Sequence, residues 1–306
     1  MSKNSLLSVL AIISLSGLVS CGGGAKYSKL QGSTMGTYYS ITYGEDESCS
    51  PQKKAVDNLL AHINSVMSTY ESDSELSLIN QNLQAGEYAI SQELHLVLGA
   101  SLMVWQETRG AFDITIGPLV NLWGFGPTNA EETPTEFEQD AVAERIGMEN
   151  LELASNSIVK KQPNLFIDLS AIAKGYAVDR VAEKLSSLGC KDYLVDIGGE
   201  SFAKGQNQAG TPWKIGIEVP SPDPRGIQRV LAFSDLAIAT SGDYRNFRDT
   251  AVGRVSHVMD PRNKLPVTSN IVSATVLHRS AMMADAYATS MMVLGYEDGM
   301  KLAEVQ

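Results

Sequence analysis

The chain has 306 residues, with 24 Lys and Arg against 35 Asp and Glu, a formal net charge of −11 at pH 7. So acidic a chain, without a basic stripe, forfeits the phosphate contacts that drive nucleic-acid binding, and that class of partner is excluded. Hydrophobic residues at 43% and charged residues at 19% exclude a disordered chain and predict a packed core in one large domain or two interleaved lobes.

The chain starts with Lys3 and an apolar run from Leu6 to Val19, too short to span a bilayer comfortably and laid out as a secretory signal. Leu18-Val19-Ser20-Cys21 closes that run in the pattern of a bacterial lipobox. Residues 1–20 are therefore expected to be a lipoprotein signal peptide, with Cys21 the acylated N-terminus of the mature chain. Several acyl chains, at about 0.8 kcal/mol per buried CH₂, make a lasting anchor. The alternative, a small buried cysteine after an ordinary apolar helix, fits the layout less well. Gly22-Gly23-Gly24 begins a tether expected over 21–31, ahead of a single domain over 32–306. With Cys21 acylated, Cys49 and Cys190 remain; they could pair in an oxidising envelope compartment, and their spacing does not choose between a bond and two lone thiols.

Ser50-Pro51 reads as a cap-then-proline start, and Val56, Leu59, Leu60, Ile63 and Met67 recur at helical spacing up to Tyr70. A second helix is predicted from Ser91 to Thr108 with Gly110 as its stop. Gly124 to Glu138, with Pro127 and Pro134, reads as a surface loop, and Asn164 to Asp168 as a buried strand. Val178, Val181, Leu185 and Leu188 form the stripe of a helix that Gly189 ends, and Tyr193 to Ile197 is another buried strand. Trp213, Ile215, Ile217 and Val219 alternate with Lys214, Gly216 and Glu218 as a half-buried strand. Further strands fit Val230 to Phe233, Ala237 to Thr240, Ser256 to Met259 and Ile271 to Leu277, before an apolar helix from Ala281 to Leu294. Consecutive strands without intervening helices argue against a doubly wound sheet and for an α+β layout.

GxGxxG, GxxxxGK[ST], HExxH and GxSxG are all missing, which removes the usual nucleotide, zinc-protease and serine-hydrolase signatures. The four histidines, His62, His95, His257 and His278, are scattered, so a metal, if bound, would take oxygen ligands and be Mg²⁺ or Ca²⁺.

Ile167 to Tyr176 places Asp168 at a strand end, small residues in a turn, and Lys174 at a helix start, an arrangement suited to an anion. Asp168 could instead simply cap the helix, leaving Lys174 solvated. Asp196-Ile197-Gly198-Gly199-Glu200 is a second strand-to-glycine transition, whose glycines could serve only a tight turn. Asp285 and Thr289 lie four apart, on one helix face, and are both hard oxygen ligands. A carboxylate within Met282 to Ala288 is expensive without a partner, which favours a functional role over a merely hydrogen-bonded one. His257, before Val258-Met259-Asp260-Pro261, is a catalytic or a structural histidine.

Together these segments resemble the ApbE family of FAD:protein FMN transferases, from about Gly32 to Gly299. The resemblance is carried by Gly32 to Thr37, Ser68-Thr69-Tyr70 with Ser74 to Ser77 and Asn80, Phe112 to Thr115 with Gly117-Pro118-Leu119, Asp168 to Tyr176, and Asp196 to Glu200. Ala239 to Arg245, His257 to Pro261 and Asp285 to Thr289 complete it, in the family's order and intervals. It implies an ApbE-type fold of mixed and antiparallel sheets with flanking helices in two interleaved lobes. It also implies transfer of FMN from FAD to a threonine or serine hydroxyl of an acceptor protein, with AMP released. Carried onto matching positions, Met35, Tyr70, Ala111, Phe112, Asp113, Asp168, Lys174 and Met259 resemble FAD contacts. The Ala171 carbonyl, Asp285 and Thr289 resemble an Mg²⁺ site, and His257 resembles the catalytic histidine. The implied partners are FAD, acceptor flavoprotein subunits such as those of membrane redox complexes, and a membrane reached through the lipid anchor. The place implied is the periplasmic side of a bacterial envelope, the inner membrane favoured and the outer left open. Family members continue past the final helix into a further strand, so a truncated C-terminus is expected. Two other readings use the same residues: a metal-dependent FAD pyrophosphatase with water as nucleophile, and a non-catalytic, lipid-anchored flavin-binding protein.

Overall fold

The computed structural model describes residues 26–126, 133–221, 226–244, 247–250, 253–268 and 271–305. The expected signal peptide, Cys21, the glycines of the tether and Arg245 lie outside the described residues. A hairpin of β1 (Tyr27–Thr34) and β2 (Thr37–Gly44) turns at Met35 and Gly36, whose φ angles are 50° and 69°. A two-residue hairpin loop needs such left-handed backbone to match the twist of its strands. Because Tyr27 to Gln31 are laddered to β2, the last part of the stretch expected as a tether belongs to the sheet instead.

Helix α1 (Lys53–Met67) buries Val56, Leu60, Ile63 and Met67 at the predicted spacing, but its N-cap is Gln52, beyond the expected Ser50-Pro51 start. Helix α2 (Glu75–Gln81) is capped by Ser74, and the buried Lys160 Nζ donates to Asn82 O, 2.6 Å away, at its far end. Strand β3 (Gly86–Ala89) precedes α3 (Gln92–Glu107), which Ser91 caps and which Gly110, at φ 83°, follows. After α4 (Gly117–Leu122), helix α5 (Glu136–Ala143) starts inside the stretch expected to be loop, because Thr135 and Glu138 form a reciprocal capping box. Strands β4 (Leu151–Leu153) and β5 (Ser157–Lys160) join β3 in a small antiparallel sheet with β5 at its centre.

Helix α6 (Ala173–Ser187) leads through Gly189 to β6 (Tyr193–Ile197) and β7 (Glu200–Lys204). Then come β8 (Trp213–Glu218), β9 (Ile227–Phe233), β10 (Leu236–Gly242), β11 (Phe247–Thr250) and β12 (Gly253–Ser256). Strands β13 (Met259–Asp260), β14 (Leu265–Pro266) and β15 (Ser273–His278) precede the last helix, α7 (Ala281–Val305). The main sheet runs β1-β2-β6-β7-β10-β15 and every neighbouring pair is antiparallel, the α+β arrangement expected. Alternation divides its faces. Tyr193, Val195 and Ile197 enter the main core with residues of α1 and α6, while Leu194 meets the opposite face, which Trp213 and Phe233 of the β8–β9 hairpin cover.

Three further predicted elements differ. Asn164 to Asp168 is buried at Leu165 and Ile167 but forms no ladder: Ile167 N donates to Asn80 Oδ1 (2.9 Å), Asn80 Nδ2 donates to Ile167 O (2.8 Å), and Asp168 N donates to Ile114 O (2.7 Å). One asparagine side chain thus stands where a neighbouring strand would be. The strand expected over Ser256 to Met259 is split between β12 and β13, leaving His257 and Val258 between them. The final helix continues past Leu294 to Val305, across a break at Gly295 with φ 77°.

Cys49 and Cys190 form a disulfide with Cα atoms 4.6 Å apart, tying the loop before α1 to the loop after α6. No helix among the described residues is long and apolar enough to cross a membrane.

Candidate functional site

Two helices bring the central groups together. Asp179 of α6 caps the start of α7, accepting from Ala281 N (2.7 Å), Met282 N (3.0 Å) and Ser280 Oγ (2.6 Å). The crossing is tight at Gly175, where a Cβ would sit 2.2 Å from Ala281 O. Only glycine admits that approach, and it lets the Gly175 N–H donate to Asp285 Oδ2 at 3.0 Å. A carboxylate held on the first turn of α6 gains from the helix dipole as well. Asp285 is 2% exposed, and one turn further along α7 the Thr289 hydroxyl shares a hydrogen bond with Ser241 of β10 (3.2 Å).

Between α6 and the sheet lies Lys174, its Nζ 3.1 Å from Glu200 Oε1 and 3.6 Å from Asp285 Oδ1. Burial alone would depress the lysine, but Asp285 and Glu200 outweigh it and hold its pKa above the ordinary value. For Glu200, burial dominates over the attraction of Lys174, and Asp285 adds repulsion; its pKa is pushed up to about 7. Glu200 Oε2 is buried without a hydrogen-bond partner.

These groups floor a cavity of about 440 Å³. Its walls include His257 and Met259 from the β12–β13 segment, Ala111, Phe112 and Asp113 from the loop after α3, and Asp168 and Ala171 from the turn before α6. Tyr70, 69% exposed, stands at its mouth. The His257 ring meets Phe125 edge-on, with centroids 6.2 Å apart. A larger groove, about 980 Å³, lies along β15 and α7 and contains none of the residues expected in the site.

Eleven of the twelve expected non-lipidation residues therefore converge on one cavity. Met35 does not: it occupies the β1–β2 turn, packed against the main core. Asp168 does not cap α6; its Oδ1 accepts from Ser170 N (2.8 Å) and Ser170 Oγ (2.5 Å). Both Asp113 oxygens are engaged internally, by Thr115 and by Met148 N. Burial raises the Asp113 pKa against those hydrogen bonds, so its carboxylate holds the loop that presents Phe112. Phe112, 2% exposed, is part of the main core, whereas the exposed Tyr70 offers a free ring face. The residue the sequence reading passed over is Glu200. Gly198 and Gly199, at φ 65° and 109°, make the β6–β7 turn that delivers it to the cavity, so the strand-Gly-Gly-Glu pattern was the available signal.

A model of the ApbE family matches residues 35–306. The FAD:protein FMN transferase of Vibrio cholerae is 44% identical over 300 residues, covering 97% of this chain and 90% of that protein. The Haemophilus influenzae protein of the same name is 38% identical over 315 residues, covering 99% and 90%. In structure, the flavin transferase ApbE from Vibrio cholerae matches with a TM-score of 0.86, 44% identity, 92% of this chain and 91% of that one. The apo form of the Pseudomonas stutzeri flavinyl transferase ApbE matches with a TM-score of 0.83, 34% identity, 92% and 89%.

Proposed function

The chain belongs to the ApbE family and transfers FMN from FAD to a protein; from that premise we propose that the acceptor atom is a threonine or serine hydroxyl, that AMP is the leaving group, and that Mg²⁺ assists. The observation that carries this reading is the convergence of Lys174, Asp285, Thr289 and His257 on one cavity. Its donor set suits Mg²⁺: a carboxylate, a hydroxyl and the Ala171 carbonyl are hard oxygens. Among the described residues no three His, Cys, Asp or Glu cluster for a closed protein cage, leaving most of the shell to substrate phosphate and water. Asp285, Thr289 and the Ala171 carbonyl would hold such an ion, which would supply charge neutralisation as the pyrophosphate bond breaks.

The chain's own residues do the rest. Tyr70 packs against a flat ring at the mouth, and Lys174 places its ammonium at the phosphates. The acceptor oxygen attacks the phosphorus of the FMN half, the bond to the bridging oxygen breaks, and AMP departs with that oxygen. His257 takes the hydroxyl proton, a task suited to imidazole, whose ordinary pKa is about 6.5. Incubation of the acyl-free protein with FAD, Mg²⁺ and a threonine-bearing acceptor, followed by mass spectrometry, should show added FMN. Free FMN and AMP without an adduct would establish the pyrophosphatase reading instead. His257→Ala should retain FAD binding by flavin fluorescence and lose roughly 10²–10⁴-fold in turnover; lost binding with turnover intact at saturation would make it a positioning group.

Residues 1–20 as an export signal and Cys21 as the lipid anchor place the enzyme on the periplasmic side of a bacterial membrane, within reach of membrane-complex acceptors. This is supported by the signal layout and by the Cys49–Cys190 disulfide, a bond that persists in oxidising compartments. Cells fed labelled palmitate should label the protein and not its Cys21→Ala variant; equal labelling of both would remove the anchor from Cys21.

A further inference from the structure

Glu200 is 5% exposed, opens β7, and lines the cavity with one oxygen ion-paired to Lys174 and the other without a hydrogen-bond partner. Its role turns on how Lys174 is shared. The ammonium lies 3.1 Å from Glu200 Oε1, within hydrogen-bond range, and 3.6 Å from Asp285 Oδ1, outside it. Asp285 Oδ2 accepts from the Gly175 N–H, which leaves Oδ1 the freer oxygen to meet a cation, and Lys174 is the cation nearest to it. We propose that Glu200 is a positioning residue: by holding Lys174 on Oε1 it keeps the lysine from closing onto Asp285, and Asp285 Oδ1 stays available to a divalent cation. This rests on the metal reading above.

Charge points the same way. With Glu200 ionised, Lys174, Glu200 and Asp285 together carry a formal −1, which attracts a divalent cation into a site where the effective dielectric is low. With glutamine at 200 the sum is zero, and the lysine, losing its ionic partner, moves the short distance to Asp285. The unpartnered Oε2 is the structural sign of a group set up for something besides folding, since a buried polar atom left unmatched costs about 1–3 kcal/mol. Glutamine keeps the side chain's shape, and its amide oxygen can still accept from Lys174, so the substitution isolates charge from packing.

The test is a titration of the FAD-saturated protein, without acceptor, with Mn²⁺ as the probe, followed by loss of the free Mn²⁺ signal in electron paramagnetic resonance. Glu200→Gln should weaken Mn²⁺ binding at least tenfold, and adding Lys174→Met to it should restore much of the loss, since the competitor for Asp285 is then gone. Mn²⁺ binding by Glu200→Gln within twofold of wild type overturns the proposal. So does a double variant no better than Glu200→Gln, since the loss is then not the lysine's. Asp285→Asn separates the two levels: if it binds Mn²⁺ as wild type does, the metal reading itself is wrong, whereas if it alone fails, only the role of Glu200 is.

Discussion

With Asp285 replaced by alanine, transfer of FMN to the acceptor assayed in Mg²⁺ should fall roughly a thousandfold or more. A bound divalent ion contributes several kcal/mol of charge stabilisation to such a reaction, and about 4 kcal/mol is three decades in rate. The same change removes the acceptor for the Gly175 N–H and one of two carboxylates beside Lys174. Because Lys174 keeps Glu200 at 3.1 Å, no charge is stranded, and the folding cost stays near the roughly 1–3 kcal/mol of an orphaned buried donor. Activity and stability are separable by Asp285→Asn, whose amide oxygen can still accept from Gly175 while its charge is gone. Adduct formation by mass spectrometry and thermal melting of both variants provide the check. Wild-type transfer by Asp285→Ala in Mg²⁺ would exclude this carboxylate from the metal site.

Reduction of the Cys49–Cys190 bond gives the largest loss of stability. The disulfide spans 141 residues, and closing a loop of that length in the unfolded chain is worth roughly 5 kcal/mol on the chain-entropy account. Both cysteines are almost fully buried, so Cys49→Ala with Cys190→Ala leaves only small gaps and reports mainly on the cross-link. The double variant, and the wild type under reductant, should melt on the order of 10 °C lower than the oxidised protein. Equal melting of the oxidised and reduced wild type would show that the bond does not hold the fold. The active-site cavity should survive in the double variant below its melting point, because α6 is also held to α7 by Asp179, and flavin fluorescence on FAD binding reads that directly.

The helices α1, α3 and α6 were legible because each carries an apolar stripe several turns long and a stop or cap nearby, and β6 because Tyr193, Val195 and Ile197 form a short apolar run on one face, bounded by turn residues. The β1–β2 hairpin was not, since Thr, Ser, Tyr and Gly in it carry little apolar contrast, and the ladder that ties it into the main sheet is made with β6, far along the chain. Asn164 to Asp168 has the composition of a strand, yet Asn80, 87 residues away from Ile167, takes its hydrogen bonds. In the site, residue types and spacing already singled out Lys174, Asp285, Thr289 and His257. Their company could not show that Met35 turns a hairpin or that the Asp113 carboxylate is spent on Thr115 and Met148.

By itself, then, the sequence determined the long helices α1, α3 and α6 and the oxygen-rich, histidine-poor chemistry available to the site, all properties of neighbours along the chain. Only the tertiary structure decided that Cys49 meets Cys190, that α6 and α7 touch at Gly175, and that Lys174 lies nearer Glu200 than Asp285. The reason is one of range. Periodicity and capping act over a few residues, whereas these pairings join residues 26 to 141 positions apart and exist only once burial has packed the helices against the sheet.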